Sequence, residues 1–178
     1  MGRRIVALLG TCAAMSAFAM PAAHAANTTT TFTLTGGSLS ITAPASVNLG
    51  SGSTGDSAFT GQLGTVSVSD LRGGLLSSWT ATASSGDFTT GGATANETIV
   101  KAKVSYWSGA ATASSGTGTF TPGQLTALLK AALSSAQTAF AATVTVGNNS
   151  VSWNPTLVVD ASSAVAGTYS GTITHSVA

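Results

Sequence analysis

The chain has 178 residues but only six Lys or Arg and five Asp or Glu, a formal net charge of +1. Charge this sparse, with no basic stripe, supplies no electrostatic footprint for nucleic acid or an anionic lipid surface. Trp79, Trp107 and Trp153, together with 43% hydrophobic residues, argue against disorder and for a packed domain whose outer face carries hydroxyls instead of charges.

Residues 1–25 read as a signal peptide. Arg3 and Arg4 lead the apolar run IVALLGTCAAMSAFAM, and PAAHA puts Ala23 and Ala25 in the small-residue cleavage positions. The run is too short for a membrane span, and no later segment approaches ~20 apolar residues. Thr11 stands where a lipoprotein signal needs a small residue before its cysteine, here Cys12. Ile5-Val6-Ala7 does not continue a twin-arginine signal, so general secretion is expected. The expected product is one extracellular domain, residues 26–178. It holds Arg72, Lys101, Lys103 and Lys130 against Asp56, Asp70, Asp87, Glu97 and Asp160, and no cysteine for a disulfide. A chain of ~150 residues buries enough surface to fold without one.

After a Thr-rich lead over 26–31, apolar and polar residues alternate with the period of a half-buried strand. TFTLT and SLSIT, joined by Gly36-Gly37, predict a first hairpin ended by Pro44. Val66 and Val68 predict a strand, as do Trp79, Ala81 and Ala83. In ETIVKAKVSYW the inward set is Val100, Ala102, Val104 and Tyr106, with Lys101 and Lys103 wet. Thr121, Pro122 and Gln124 resemble a helix start. Leu125, Leu128, Leu129, Ala132 and Leu133 fall on one side, so 122 to about 132 is predicted to be a short helix. ATVTV-GNN-SVSW predicts a second hairpin, and TYSGTITHSV a last strand. GSGSTG, SSGDFTTGGATA and SGAATASSGTG read as surface loops. Some seven to nine short strands with turns between them predict an all-β fold, an antiparallel, Ig-like β-sandwich with one short helix.

Motifs for chemistry are sparse. GSGSTG fits a dinucleotide-binding turn by spacing alone, since no βαβ unit surrounds it. There is no G-x-S-x-G elbow and no Gly-Lys pair for a phosphate loop. His175 is the only histidine past residue 25, and its parity with Tyr169, Ile173 and Val177 predicts a partly buried core residue, not a catalytic base. One histidine without cysteine makes no closed transition-metal site, and no cofactor is expected. Five scattered acids nominate no glycosidase pair. The expected protein is therefore not an enzyme.

The densest charge lies in SDLRGGLLSSWTATA. Strand parity from Val66 and Val68 points Asp70 and then Arg72 inward, where a carboxylate needs a partner. Gly73 and Gly74 would then let the chain turn back and bring Trp79 over the guanidinium, forming a structural corner of Asp70, Arg72 and Trp79.

LGTVSVSDLRGGLLSSWTATAS, with LSITAP before it and GTYSGTITHSV at the end, resembles the WxL-type domains of Gram-positive surface proteins. The bias toward Gly, Ala and Thr resembles an actinobacterial relative. Those domains pair a D-x-R-G turn and a first Trp-x-Leu strand with a C-terminal strand running from Tyr to a second Trp-x-Leu. The matching positions here are Trp79 in Trp79-Thr80-Ala81, Tyr169, and His175 and Val177 in His175-Ser176-Val177. Leu is missing from the first motif and Trp from the second. The resemblance implies a cell-surface β-sandwich that binds wall polymer, peptidoglycan, noncovalently. Sparse charge at strand edges also makes self-association an expectation, and with it a self-assembling surface protein.

Overall fold

The computed structural model describes residues 27–178. The predicted signal peptide lies outside them. Among the described residues, no helix is long and apolar enough to cross a membrane. Leu34–Ala178 form one compact unit. Residues 27–33 carry no regular structure, and Phe32 is exposed.

Among the described residues, twelve strands follow one another. These are β1 (Leu39–Thr42), β2 (Ala58–Gln62), β3 (Val66–Asp70), β4 (Leu75–Ser85), β5 (Phe88–Thr89) and β6 (Thr98–Ile99), then β7 (Val104–Trp107), β8 (Ala111–Pro122), β9 (Ala131–Ala132), β10 (Gln137–Trp153), β11 (Thr156–Asp160) and β12 (Ile173–Val177). A six-stranded sheet runs β1-β3-β10-β4-β12, with β8 on the other side of β10. A four-stranded sheet runs β2-β11-β7-β9, and β5 pairs with β6. Every pairing is antiparallel. The fold is all-β and sandwich-like, as its alternating sequence predicts.

The core follows from that alternation. β3 buries Val66 and Val68, β4 buries Trp79, Ala81 and Ala83, and β10 buries Phe140, Ala142, Val151 and Trp153. From the four-stranded sheet, Val104, Tyr106, Leu157 and Val159 join the same cluster. Burying side chains of this size stabilises by about 1.5 to 3 kcal/mol each, which holds the sheets together without a disulfide.

β10 organises the larger sheet. Phe140 and Trp153 stand thirteen positions apart on it, roughly 40 Å along a straight strand, yet their rings stack with centroids 5.0 Å apart. The strand must therefore fold over. Its register breaks between Ala142 and Val146, and Val144 (φ 54°) and Gly147 (φ 68°) take left-handed backbone there. Its neighbours bend at the same level. On β8, a Cβ at Gly116 (φ 82°) would collide with the Asn148 carbonyl, so only glycine lets the two backbones stay this close. On the other side, β3 and β4 occupy successive halves of one edge of β10, with Asp70 opposite Asn149 and Leu75 opposite Val146. The sheet turns a corner across all three strands, as sheets do when bulges let strands pass from one layer to another. β1 on β3 and β12 on β4 thereby come to lie beside each other.

Several local expectations change. Of the first predicted hairpin only β1 forms, and it pairs with β3; Phe32 and Leu34 stay exposed, because alternation makes a segment fit for a strand without supplying a partner. The second predicted hairpin is the single strand β10, whose two halves pair with β3, β4 and β8 and not with each other. SGAATASSGTG is no loop, since most of it is β8, a strand with Ser, Thr, Gly and Ala exposed on both faces. The strand predicted through Val100 breaks, burying Ile99 and leaving Val100 exposed. Lys101–Lys103 form a 3-10 turn before the alternation resumes at Val104 and Tyr106.

The predicted helix shrinks to a three-residue 3-10 turn, Ala127–Leu129. Thr121 cannot cap it, because it is paired with Ala141 in the β8–β10 ladder. Gln124 does not close a capping box either; its amide donates to the Thr138 carbonyl at 2.9 Å. Leu128 is 96% exposed, and of the expected apolar stripe Leu133 alone is fully buried.

Candidate functional site

The Asp70 carboxylate sits at the end of β3, where the sheet folds, and is 1% exposed. Arg72 answers it with two parallel bonds, Nε to Oδ1 and Nη2 to Oδ2, each 2.9 Å, while its backbone N–H donates to Oδ1 at 3.1 Å. This fork-on-carboxylate geometry is the strong form of an ion pair. The guanidinium also donates to the Ser78 carbonyl at 3.0 Å, which ties the end of β3 to β4 across Gly73 and Gly74. These glycines do not reverse the chain. They carry it, with Gly73 at φ 65°, from one half of the β10 edge to the other.

Trp79 joins through a residue that the sequence reading did not select. Its indole N–H donates to Asn149 Oδ1 at 2.9 Å, and Asn149 Nδ2 reaches Asp70 Oδ2 and the Gly147 carbonyl at 3.4 Å. The amide of Asn149, not an indole face on the guanidinium, is the link that brings Asp70, Arg72 and Trp79 into one network. The Trp79 ring instead lies 6.3 Å from Phe120 of β8. Asn149 was legible in principle: it has the inward parity of Val151 and Trp153, where a polar side chain needs partners. Hydrogen bonds from Arg72 hold the Asp70 carboxyl below the usual carboxylate range, against the opposing effect of burial. The same pair raises Arg72.

The other acids also accept hydrogen bonds. Asp56 Oδ2 accepts from the Ser53 N–H at 2.7 Å, Asp87 Oδ1 from Lys101 N–H at 2.7 Å, and Asp160 Oδ1 from Ser162 N–H at 3.0 Å. Glu97 Oε2 accepts from both the hydroxyl and the N–H of Thr94. The Thr94 bonds lower Glu97 and the Ser162 bonds lower Asp160, the wrong direction for a general acid at neutral pH. Among the described residues, no three His, Cys, Asp or Glu gather as metal ligands would.

The C-terminal motif strand lies against the first one. His175 pairs with Ala83 and Val177 with Ala81 along β12 and β4, and Thr80 exchanges backbone bonds with Ala178. His175 Nε2 lies 3.3 Å from the Tyr106 hydroxyl, which accepts the Trp153 indole N–H at 3.1 Å. Burial pushes the imidazole below its ordinary pKa and the Tyr106 phenol above its own. His175 is thus a partly buried neutral member of the core.

Tyr169 is elsewhere. It stands half-buried in a cleft of about 690 Å³ between the loop around residues 45–56 and the loop around 164–171. Phe59, Phe88 and Val47 contribute apolar surface, Ser and Thr side chains and loop backbone contribute polar groups, and Asp56 is the single carboxylate in the lining. The Tyr169 hydroxyl donates to the Val165 carbonyl at 3.2 Å, which fixes the ring in the cleft.

Fold and site together define an all-β, sandwich-like module with a charged polar brace and an open cleft. Against known protein families, curated proteins and solved structures, the chain finds no match.

Proposed function

We propose that the protein is an exported, non-enzymatic β-sandwich module held at the cell envelope by noncovalent contact with wall polymer, peptidoglycan being the first candidate. The cleft carries this reading. Half-buried Phe59 and Tyr169, set among Ser, Thr and Gly with one carboxylate, match a glycan, whose rings offer C–H faces to aromatic side chains and hydroxyl edges to polar groups. The signal-like start and the ordered, partly degenerate WxL-type motifs support the location. The engagement of all five described acids, in turns, in the Arg72 pair or, for Asp87, with the Lys101 N–H, supports a binding role over turnover.

Co-sedimentation tests it. The purified protein should pellet with isolated Gram-positive cell walls, and Tyr169→Ala should lose most of the pelleted fraction while remaining folded at the assay temperature by circular dichroism. A wild-type protein that remains wholly in the supernatant overturns the proposal.

A further inference from the structure

We infer that the outer edge of β8 is a docking surface for a second copy of this chain, two β8 strands pairing antiparallel about a two-fold axis. The inference does not depend on the cleft. β8 runs twelve residues and, among the described residues, pairs on one side only, with β10. Its other side leaves a row of backbone N–H and C=O groups without a strand, which is a template for strand addition. Residues 111–119 are all exposed. The remaining sheet margins among the described strands are poorer templates: β2 has five residues, β9 has two, and β1 and β12 lie beside each other.

Chemistry selects a second copy as the occupant. Natural edges are blunted by lysine, proline, inward charges or bulges; ATASSGTGTFTP carries no charge at all and its only proline at the far end, and between its register breaks the stretch 113–115 keeps a regular ladder to pair from. Juxtaposed with itself, such a strand opposes Ser, Thr and Ala to Ser, Thr and Ala, with no like charges to repel. Four cations against five acids over residues 26–178 leave little long-range repulsion between copies.

A second observation points to the same margin. An exposed row runs across the sheet toward this edge, Leu75 opposite Val146 and Val146 opposite Thr117 on β8. Leu75 is 77% exposed, and Leu76 and Val144 beside the row are also exposed. Leu76 (φ 55°) and Val144 (φ 54°) hold left-handed backbone that bulky side chains rarely adopt. A strand added at β8 continues the sheet beside Thr117, and a two-fold pair gives both copies the same contact.

Sedimentation of the purified protein over a concentration series reads the assembly directly. The wild type should shift from monomer to dimer, and Ser114→Lys with Thr119→Lys should raise the dissociation constant roughly tenfold or more by setting like charges across the axis. A monomer at every concentration overturns the inference, as does a lysine variant that dimerises like the wild type. Should that variant fold poorly, hydrogen exchange on the wild type decides: protection of residues 111–119 that grows with protein concentration supports β8 pairing, and protection that does not change overturns it. The exposed alternating segment around Phe32 and Leu34 is the rival occupant. Phe32→Lys with Leu34→Lys should leave the dimer intact, and its loss would overturn β8 self-pairing.

Discussion

Trp79 and Trp153 are both buried on the folded sheet, and each donates its indole N–H to a polar side chain inside the protein, but the hydrogen-bond chains that follow differ in charge. From Trp79 the chain runs through Asn149 to the ionised Asp70–Arg72 pair at the corner. From Trp153 it runs through the Tyr106 hydroxyl to a neutral His175. The charged chain is assembled mostly within ten residues of sequence, while the neutral one draws on β7, β10 and β12. One braces a bend in the backbone, where carbonyls and amides leave their ladder. The other fills the interior between the two sheets.

The largest expected effect is at the charged chain. Arg72→Met leaves Asp70 buried without its cation, and unfolding should become about 2 to 4 kcal/mol easier, less than for a fully buried pair because Arg72 is 38% exposed. In a thermal melt that is a fall in Tm on the order of 8 °C. Tyr106→Phe breaks the neutral chain, orphaning the Trp153 N–H, and should cost about 1 to 3 kcal/mol in urea unfolding.

Acid separates the two regions further. His175 has a depressed pKa in the fold, so its contribution is complete above about pH 6.5 and is lost as pH falls from there through the lowered value. Asp70 is likewise depressed, so its contribution is complete above about pH 3.9 and is lost only below that. Urea melts across pH should show two separate losses. His175→Gln should remove the upper one, and Asp70→Asn should reduce the lower, to which the lowered Glu97 and Asp160 also contribute. The smallest effect belongs to neither region: Leu128→Ser should change stability by less than about 0.5 kcal/mol, because the side chain is in water. A packed helix there would make the same change expensive.

The period-two signal made β3, β4, β7 and β12 readable because each has one core face, and the inward parity of Asp70 announced its need for a cation. Three features escaped for physical reasons. β8 has no buried face along most of its length, so no alternation marks it, and its pairing with β10 is what makes it a strand. The helix pattern at 122–132 was locally sound, but the ladder that holds Thr121 and the Gly123 N–H to the Ala139 carbonyl removed its first turn. The corner in β10 resembled a hairpin turn because Gly147 takes positive φ in either case; only the partners on both sides distinguish a folded strand from two paired ones. Asn149, the link between Trp79 and Asp70, was obscured by the same misreading.

A double-mutant cycle on Asp70→Asn and Arg72→Met, followed by urea unfolding at pH 7, tests most directly whether this pair braces the corner. The bidentate geometry predicts a coupling of about 2 kcal/mol between the two positions. Effects that add to within about 0.5 kcal/mol would contradict it.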